Sequence, residues 1–257
     1  MSIVYGPVPS WRLGRSLGVD MVSTPAKTCS FDCIYCQLGK TVNRQVERKE
    51  YISLDSLQNE LDALPQIDID YVTFSGVAEP TLAGNIGEAI EMAGRTLHAR
   101  TAVLTNSSLL HDSSVRRELA GADVVVAKLD APDDGLMQTI NRPVFNLSIH
   151  QLIEGIKSFR SIFSGKLAIQ MMFIEANREK APVLADIVKQ LSPDEVQINT
   201  PLRPCPVKPL SPSVLSEISI YFSTLPHVVT VYKAPRPIVN PLNQPQTKRR
   251  RPETYQL

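Results

Sequence analysis

The run Asp123-Val-Val-Val-Ala-Lys-Leu-Asp130 is apolar on both faces of an extended strand for most of its length. Such a strand has no side to give to water, and a parallel sheet flanked by crossover helices is the arrangement that covers both sides. The surrounding sequence repeats the theme. Short apolar runs over 16–22, 69–76, 101–106, 166–174, 195–200 and 228–232 read as strands. Helical periodicity appears between them, over 85–97, 113–120, 147–163, 178–191 and 213–222. An earlier helix is marked by Ile52, Leu57, Leu61 and Leu64 on one stripe, with Ser53 or Asp55 as its cap. Six strand–helix units in order, joined by right-handed crossovers, predict an α/β fold. The economical form is a parallel (β/α)6 partial barrel, short of the eight units of the full barrel. Ligands in that architecture gather where the strands end.

The polar residues that break the pattern sit at such ends. In the loop after the first strand, Cys29, Cys33 and Cys36 are spaced C-x3-C-x2-C. Thiols clustered this closely, in a sequence with no visible export signal, point to metal ligation over disulfides. Three thiolates on one short loop can each take a different iron of a cubane cluster. The fourth iron is then left open, and an open coordination position binds a substrate or cofactor. The other reading of the same thiols is a zinc knot completed by Cys205. Zinc sites favour paired C-x2-C arms, and only one such arm is present. Cys205, between Pro204 and Pro206, reads more simply as a loop thiol outside the cluster.

With this spacing after a strand, the sequence resembles the radical S-adenosylmethionine (SAM) superfamily over most of residues 16–200. The resemblance implies a [4Fe–4S] cluster on Cys29, Cys33 and Cys36 with SAM chelated at the free iron. It also implies one-electron cleavage of SAM to a 5′-deoxyadenosyl radical that abstracts hydrogen from substrate. Tyr35, the aromatic residue before the third cysteine, is then expected near the adenine. Ser75-Gly76-Val-Ala-Glu79-Pro80 is a partial match to the Gly-Gly-Glu-Pro-like turn that receives the SAM ammonium; a carboxylate at a strand end suits such a cation. Asn106 after the third strand, Gln170 on the fifth, Asn199 on the sixth and Arg203 beyond it complete the candidate cofactor-binding set. Asn106 is a candidate contact for ribose or carboxylate. Arg203 offers a two-pronged clamp for carboxylate or phosphate. On the fourth strand, alternation puts Val124, Val126, Lys128 and Asp130 on one face. Opposite charges there are either paired or solvated in a cavity. Lys128 and Asp130 are therefore the candidate catalytic residues, an internal salt bridge being the competing role.

Shorter runs resemble the group related to the tRNA wyosine synthases: residues 6–15, Cys36-Gln-Leu-Gly39, the turn over 75–82, Leu129-Asp130-Ala131-Pro132 and Asn199-Thr200-Pro201. That resemblance implies modification of a tRNA base. No cysteine precedes Cys29, so the second cluster of those enzymes is not expected. The alternative is a radical SAM enzyme acting on a peptide, a partner protein or a small metabolite. Either role implies a reducing partner of the flavodoxin or ferredoxin type. The 27 Lys and Arg nearly balance 26 Asp and Glu, so any attraction for nucleic acid has to come from a local patch. The candidates are the lead-in with Trp11, Arg12 and Arg15, and the run Lys248-Arg249-Arg250-Arg251. Residues 1–234 are expected to form one core with a short lead-in, and 235–257 a Pro-rich, basic, loosely held tail. No apolar run is long enough for a bilayer and no leader pattern is visible, which predicts a cytoplasmic location.

Overall fold

The computed structural model describes residues 2–252. Its first half contains β1 (Val4–Ser10), β2 (Gly14–Val19), the short pair β3 (Thr28–Cys29) and β4 (Asn43–Arg44), α1 (Leu54–Asp62), β5 (Tyr71–Phe74), α2 (Ile86–Leu97), β6 (Arg100–Thr105) and α3 (Ser113–Leu119). There follow β7 (Val124–Lys128), α4 (Asp134–Ile140), α5 (Ile149–Arg160), β8 (Lys166–Met172) and α6 (Ala181–Leu191). The chain continues through β9 (Glu195–Asn199), α7 (Pro212–Ile220), β10 (Val228–Thr230) and α8 (Gln244–Arg250).

Eight strands form one sheet in the order β1-β2-β5-β6-β7-β8-β9-β10. Every neighbouring pair is parallel except β1 with β2. The sheet curls into a half-barrel, open between β1 and β10, and the six expected strand–helix units start from β2, β5, β6, β7, β8 and β9. Side-chain alternation on β7 falls as the sequence implies. Val124 and Val126 pack inside the curl with Leu13, Ala102 and Ala168. Val125, Ala127 and Leu129 join the larger core beneath the helices. Local signals start the helices: Ser53 accepts from the Ser56 amide at α1, and Ser148 with Gln151 makes a reciprocal cap at α5. Among the described residues no helix is long and apolar enough to cross a membrane.

Two segments depart from expectation. The lead-in is an antiparallel edge strand, β1, despite Pro7 and Pro9. Proline lacks a donor, but its register with β2 is irregular between Tyr5 and Val8, and an edge strand tolerates the missing bonds. The basic tail, expected to be loosely held, instead carries α8, which packs on β1. Arg250 is fully enclosed: its Nε donates to Asp20 Oδ2 at 2.8 Å and its Nη2 to Ser2 O at 2.6 Å and Ser23 Oγ at 2.7 Å. Arg249 donates to Thr24 O and Pro25 O, and Arg251 to Pro9 O. The basic run is therefore engaged in docking the tail to the first strands. Asp20 in turn needs Gly76, because a Cβ there would lie 2.1 Å from the Asp20 Cγ. The bare glycine lets that carboxylate reach the Val77 amide at 3.1 Å, fixing the turn after β5.

Candidate functional site

The cysteine loop leaves the end of β2 and is tied down on three sides by backbone bonds. The Thr28 carbonyl accepts the Glu79 amide at 3.1 Å, joining the loop to the turn after β5. The carbonyls that end α4 lack intrahelical partners; two of them are satisfied by the loop, Ile140 O by the Ile34 amide and Asn141 O by the Asp32 amide, both at 2.9 Å. The Val144 amide bonds Ser30 O at 2.9 Å. Further along, Asp32 Oδ1 accepts the Thr41 amide at 2.7 Å, and Thr41 Oγ1 donates to Phe31 O at 2.6 Å. A turn from Cys36 N to Cys33 O, 3.1 Å, closes the last two thiols together.

All three thiols open on one cavity of about 170 Å³ at the mouth of the half-barrel. Amide donors face two of the sulfurs: Asn106 Nδ2 lies 3.5 Å from Cys29 Sγ, and Asn141 Nδ2 lies 3.5 Å from Cys33 Sγ. Burial pushes the Cys29 thiol up to about 12, with the nearby negative charge of Glu79 and Cys33 adding to it. Burial raises Cys33 as well. A bound cationic centre is what makes such thiols into thiolates. Among the described residues no three His, Cys, Asp or Glu side chains converge on a point that one metal ion fills. A single zinc needs every sulfur within about 2.3 Å of it. Thiols spaced around a cavity, with N–H donors on the sulfurs, instead suit a multi-iron cluster. Cys205 does not line this cavity; its Sγ donates to Val207 O at 3.1 Å.

Beside Cys33 lies a closed polar network. Tyr35 Oη donates to Asp130 Oδ2 and accepts from Lys128 Nζ at 2.6 Å. The Lys128 ammonium also stands 4.4 Å from the centroid of the Tyr35 ring and 3.4 Å from Asp130 Oδ2. The remaining Asp130 lone pairs take Asn141 Nδ2 at 2.8 Å and the Met172 amide at 2.7 Å. Burial and the Asp130 carboxylate hold the Tyr35 phenol well above its usual range, so it stays a donor. The salt bridge weighed from the sequence is thus present, and the two charges divide. The Lys128 side chain is 22% exposed and lines the thiol cavity, whereas that of Asp130 is 1% exposed and does not. Asp130 thus contacts Tyr35 and Lys128 from outside the cavity. Asn141, which touches Cys33, Tyr35 and Asp130, was not among the expected residues. Its only sequence signal is an Asn before Arg-Pro, indistinguishable from a turn.

The eight candidate cofactor positions separate into two groups. Tyr35, Glu79, Asn106 and Gln170 line the thiol cavity. Ser75, Gly76, Asn199 and Arg203 face an adjoining cavity of about 280 Å³, which Tyr35 and Gln170 also reach. Asn106 does not point freely into either: its Nδ2 donates to Ser30 Oγ at 2.9 Å and its Oδ1 accepts the Ser108 amide at 2.9 Å, which locks the cysteine loop to the β6 end. Glu79 caps the turn after β5 through the Thr81 amide and also accepts from Thr81 Oγ1. It takes Thr105 Oγ1 at 2.7 Å and the Asn106 amide at 2.8 Å as well. Three of these four bonds go to Oε1, so Oε2, bonded only to the Asn106 amide, retains acceptor capacity.

The sequence profile of the radical SAM superfamily matches residues 23–187. The chain is 39% identical over 206 residues to the UPF0026 protein slr1464 of Synechocystis sp., covering 80% of this chain and 77% of that one. It is 37% identical over 226 residues to the UPF0026 protein MJ1312 of Methanocaldococcus jannaschii, covering 85% and 70%. Among solved structures it is similar to Streptococcus suis SuiB bound to S-adenosylmethionine, with a TM-score of 0.61, 18% identity, and coverage of 82% of this chain and 50% of that one. The chain spans about half the length of that structure, and the likeness is one of fold.

Proposed function

This chain belongs to the radical SAM superfamily, and from that premise we propose that it is an enzyme that cleaves SAM reductively and uses the resulting radical to take hydrogen from a substrate. The observation that carries the reading is the opening of Cys29, Cys33 and Cys36 onto one cavity together with Glu79 and Lys128. A [4Fe–4S] cluster held by the three thiolates supplies, when bound, the electron that breaks a sulfonium–carbon bond of SAM. Glu79 offers Oε2 to the SAM ammonium, a charge-assisted bond in a site sheltered from water. Tyr35, fixed by Asp130 and Lys128, forms the wall against which the adenine rests. Lys128 presents its amine end at the cavity edge, facing the substrate. For the substrate, the wyosine-type runs support a tRNA base; two of them, 129–132 and 199–201, lie at the ends of β7 and β9 at the mouth. A low-potential flavodoxin- or ferredoxin-type donor is the proposed source of electrons.

The test is anaerobic reconstitution with iron and sulfide, then SAM and dithionite. 5′-Deoxyadenosine is expected, and zinc-loaded, colourless protein without it overturns the reading. Adding tRNA from cells grown in D2O is expected to place deuterium in the 5′-deoxyadenosine. Label arriving only from a deuterated peptide or small-molecule fraction reassigns the substrate. Two variants probe the side chains. Glu79→Gln keeps the shape but sets an amide against N–H and O–H donors, so SAM affinity should fall about tenfold, a loss of ~1.4 kcal/mol, with the cluster intact. Equilibrium dialysis with labelled SAM measures this, and unchanged affinity leaves Glu79 as a turn cap alone. Lys128→Met should preserve 5′-deoxyadenosine formation within about twofold, a difference of only a few tenths of a kcal/mol, while deuterium transfer is lost. Undiminished transfer returns Lys128 to its salt bridge.

A further inference from the structure

Resting on that reading of the thiol site, we propose that the adjoining cavity anchors the substrate by phosphate groups, received by Arg12, Arg203, Arg236 and Arg251. All four line the cavity of about 280 Å³. Among the described residues, none has a carboxylate within ion-pair distance. Arg250, on the same wall, shows the contrast, since its charge is answered by Asp20. The Nε atoms of Arg12 and Arg203 are buried with no hydrogen-bond partner at all. Arg251 donates to Pro9 O at 2.8 Å, a backbone bond that leaves its charge uncompensated, and Arg236, exposed at the rim, donates to Val231 O at 3.4 Å.

The chain as a whole is nearly neutral, so this concentration of positive charge is local and not a by-product of composition. Burial lowers Arg12 and Arg203 to about 9 and Arg251 to about 10, and Arg12 and Arg203 are further depressed by neighbouring arginines of the group. Like charges desolvated together are costly unless an anion answers them. A guanidinium presents a planar fork of donors, and several forks meeting in one space match the multiple oxygens of phosphates better than one carboxylate. The position is suited to a substrate. Arg12, Tyr35, Cys36, Leu38, Leu104 and Gln170 line both cavities, so a phosphate held by the arginines leaves the rest of its molecule at the thiol site.

Inorganic tripolyphosphate, titrated calorimetrically under anaerobic conditions into the reconstituted chain, tests the assignment. Micromolar binding is expected, weakened at least tenfold by Arg203→Gln and again by Arg12→Gln. Binding that ignores both substitutions overturns the proposal. So does a loss of SAM affinity without loss of tripolyphosphate affinity, which assigns the arginines to the cofactor. Tripolyphosphate binding to a chain that takes up no SAM sustains the phosphate site while removing the thiol-site reading. Competition separates the sources. Displacement by a nucleoside triphosphate indicates a mononucleotide, and displacement by tRNA alone indicates an RNA backbone; either supports phosphate recognition.

Discussion

Cys33→Ala should give a folded protein that acquires no iron–sulfur absorption on reconstitution and forms 5′-deoxyadenosine only at background. Cys33 is the central thiol of the three, and its sulfur is the one approached by Asn141. Two thiolates leave two irons of a cubane without protein ligands, and the assembly is lost to solvent. The fold should not change, because the loop is held through Ser30, Asp32 and Ile34 by backbone bonds that do not involve the Cys33 side chain. Unfolding free energies of the metal-free forms should therefore agree within about 1 kcal/mol. Cys205→Ala is the matching control and should retain both cluster and SAM cleavage, since its sulfur lies off the cavity. Full iron and sulfide content in Cys33→Ala, with cleavage retained, removes the ligand assignment.

The second large effect concerns the tail. Arg250→Ala should lower unfolding stability by about 3–5 kcal/mol, the cost of leaving one member of a buried ion pair behind. The side chains of Arg250 and Asp20 are 0% and 2% exposed, so solvent screening does not reduce the figure. Burial alone raises the Asp20 carboxyl, and Arg250 is the largest influence opposing that rise. Urea denaturation at neutral pH measures the loss. Asp20→Asn should cost a comparable amount, and the double variant less than the sum, because both remove one interaction. SAM affinity should also fall in Arg250→Ala, since Asp20 Oδ2 holds the Val77 amide and with it the turn that carries Glu79. A stability change below ~1 kcal/mol would show that α8 is not an integral part of the half-barrel.

Much of this was legible along the chain. The apolar run of β7 implied the parallel sheet, and the C-x3-C-x2-C spacing implied the thiol site. Alternation placed Lys128 on one face with Val124 and Val126, and the curl of the sheet makes that face the interior. What stayed hidden depends on partners far away in sequence. An Arg-rich tail reads as solvated until its partner, 230 residues earlier, is brought beneath it. Pro7 and Pro9 lack strand donors, and only the fold shows that β1 is an edge that tolerates them. Asn141 looks like a turn residue until the end of α4 meets the cysteine loop.

Strand and helix periods repeat every few residues, so their alternation, and the loop that carries the thiols, are properties of contiguous sequence. The division of the polar residues between two neighbouring cavities, and the gathering of Arg12, Arg203, Arg236 and Arg251 around one of them, follow only from the curl of the sheet. Curvature brings strand ends, the lead-in and the end of α8 into one mouth, and no local pattern records which charges will meet there unanswered.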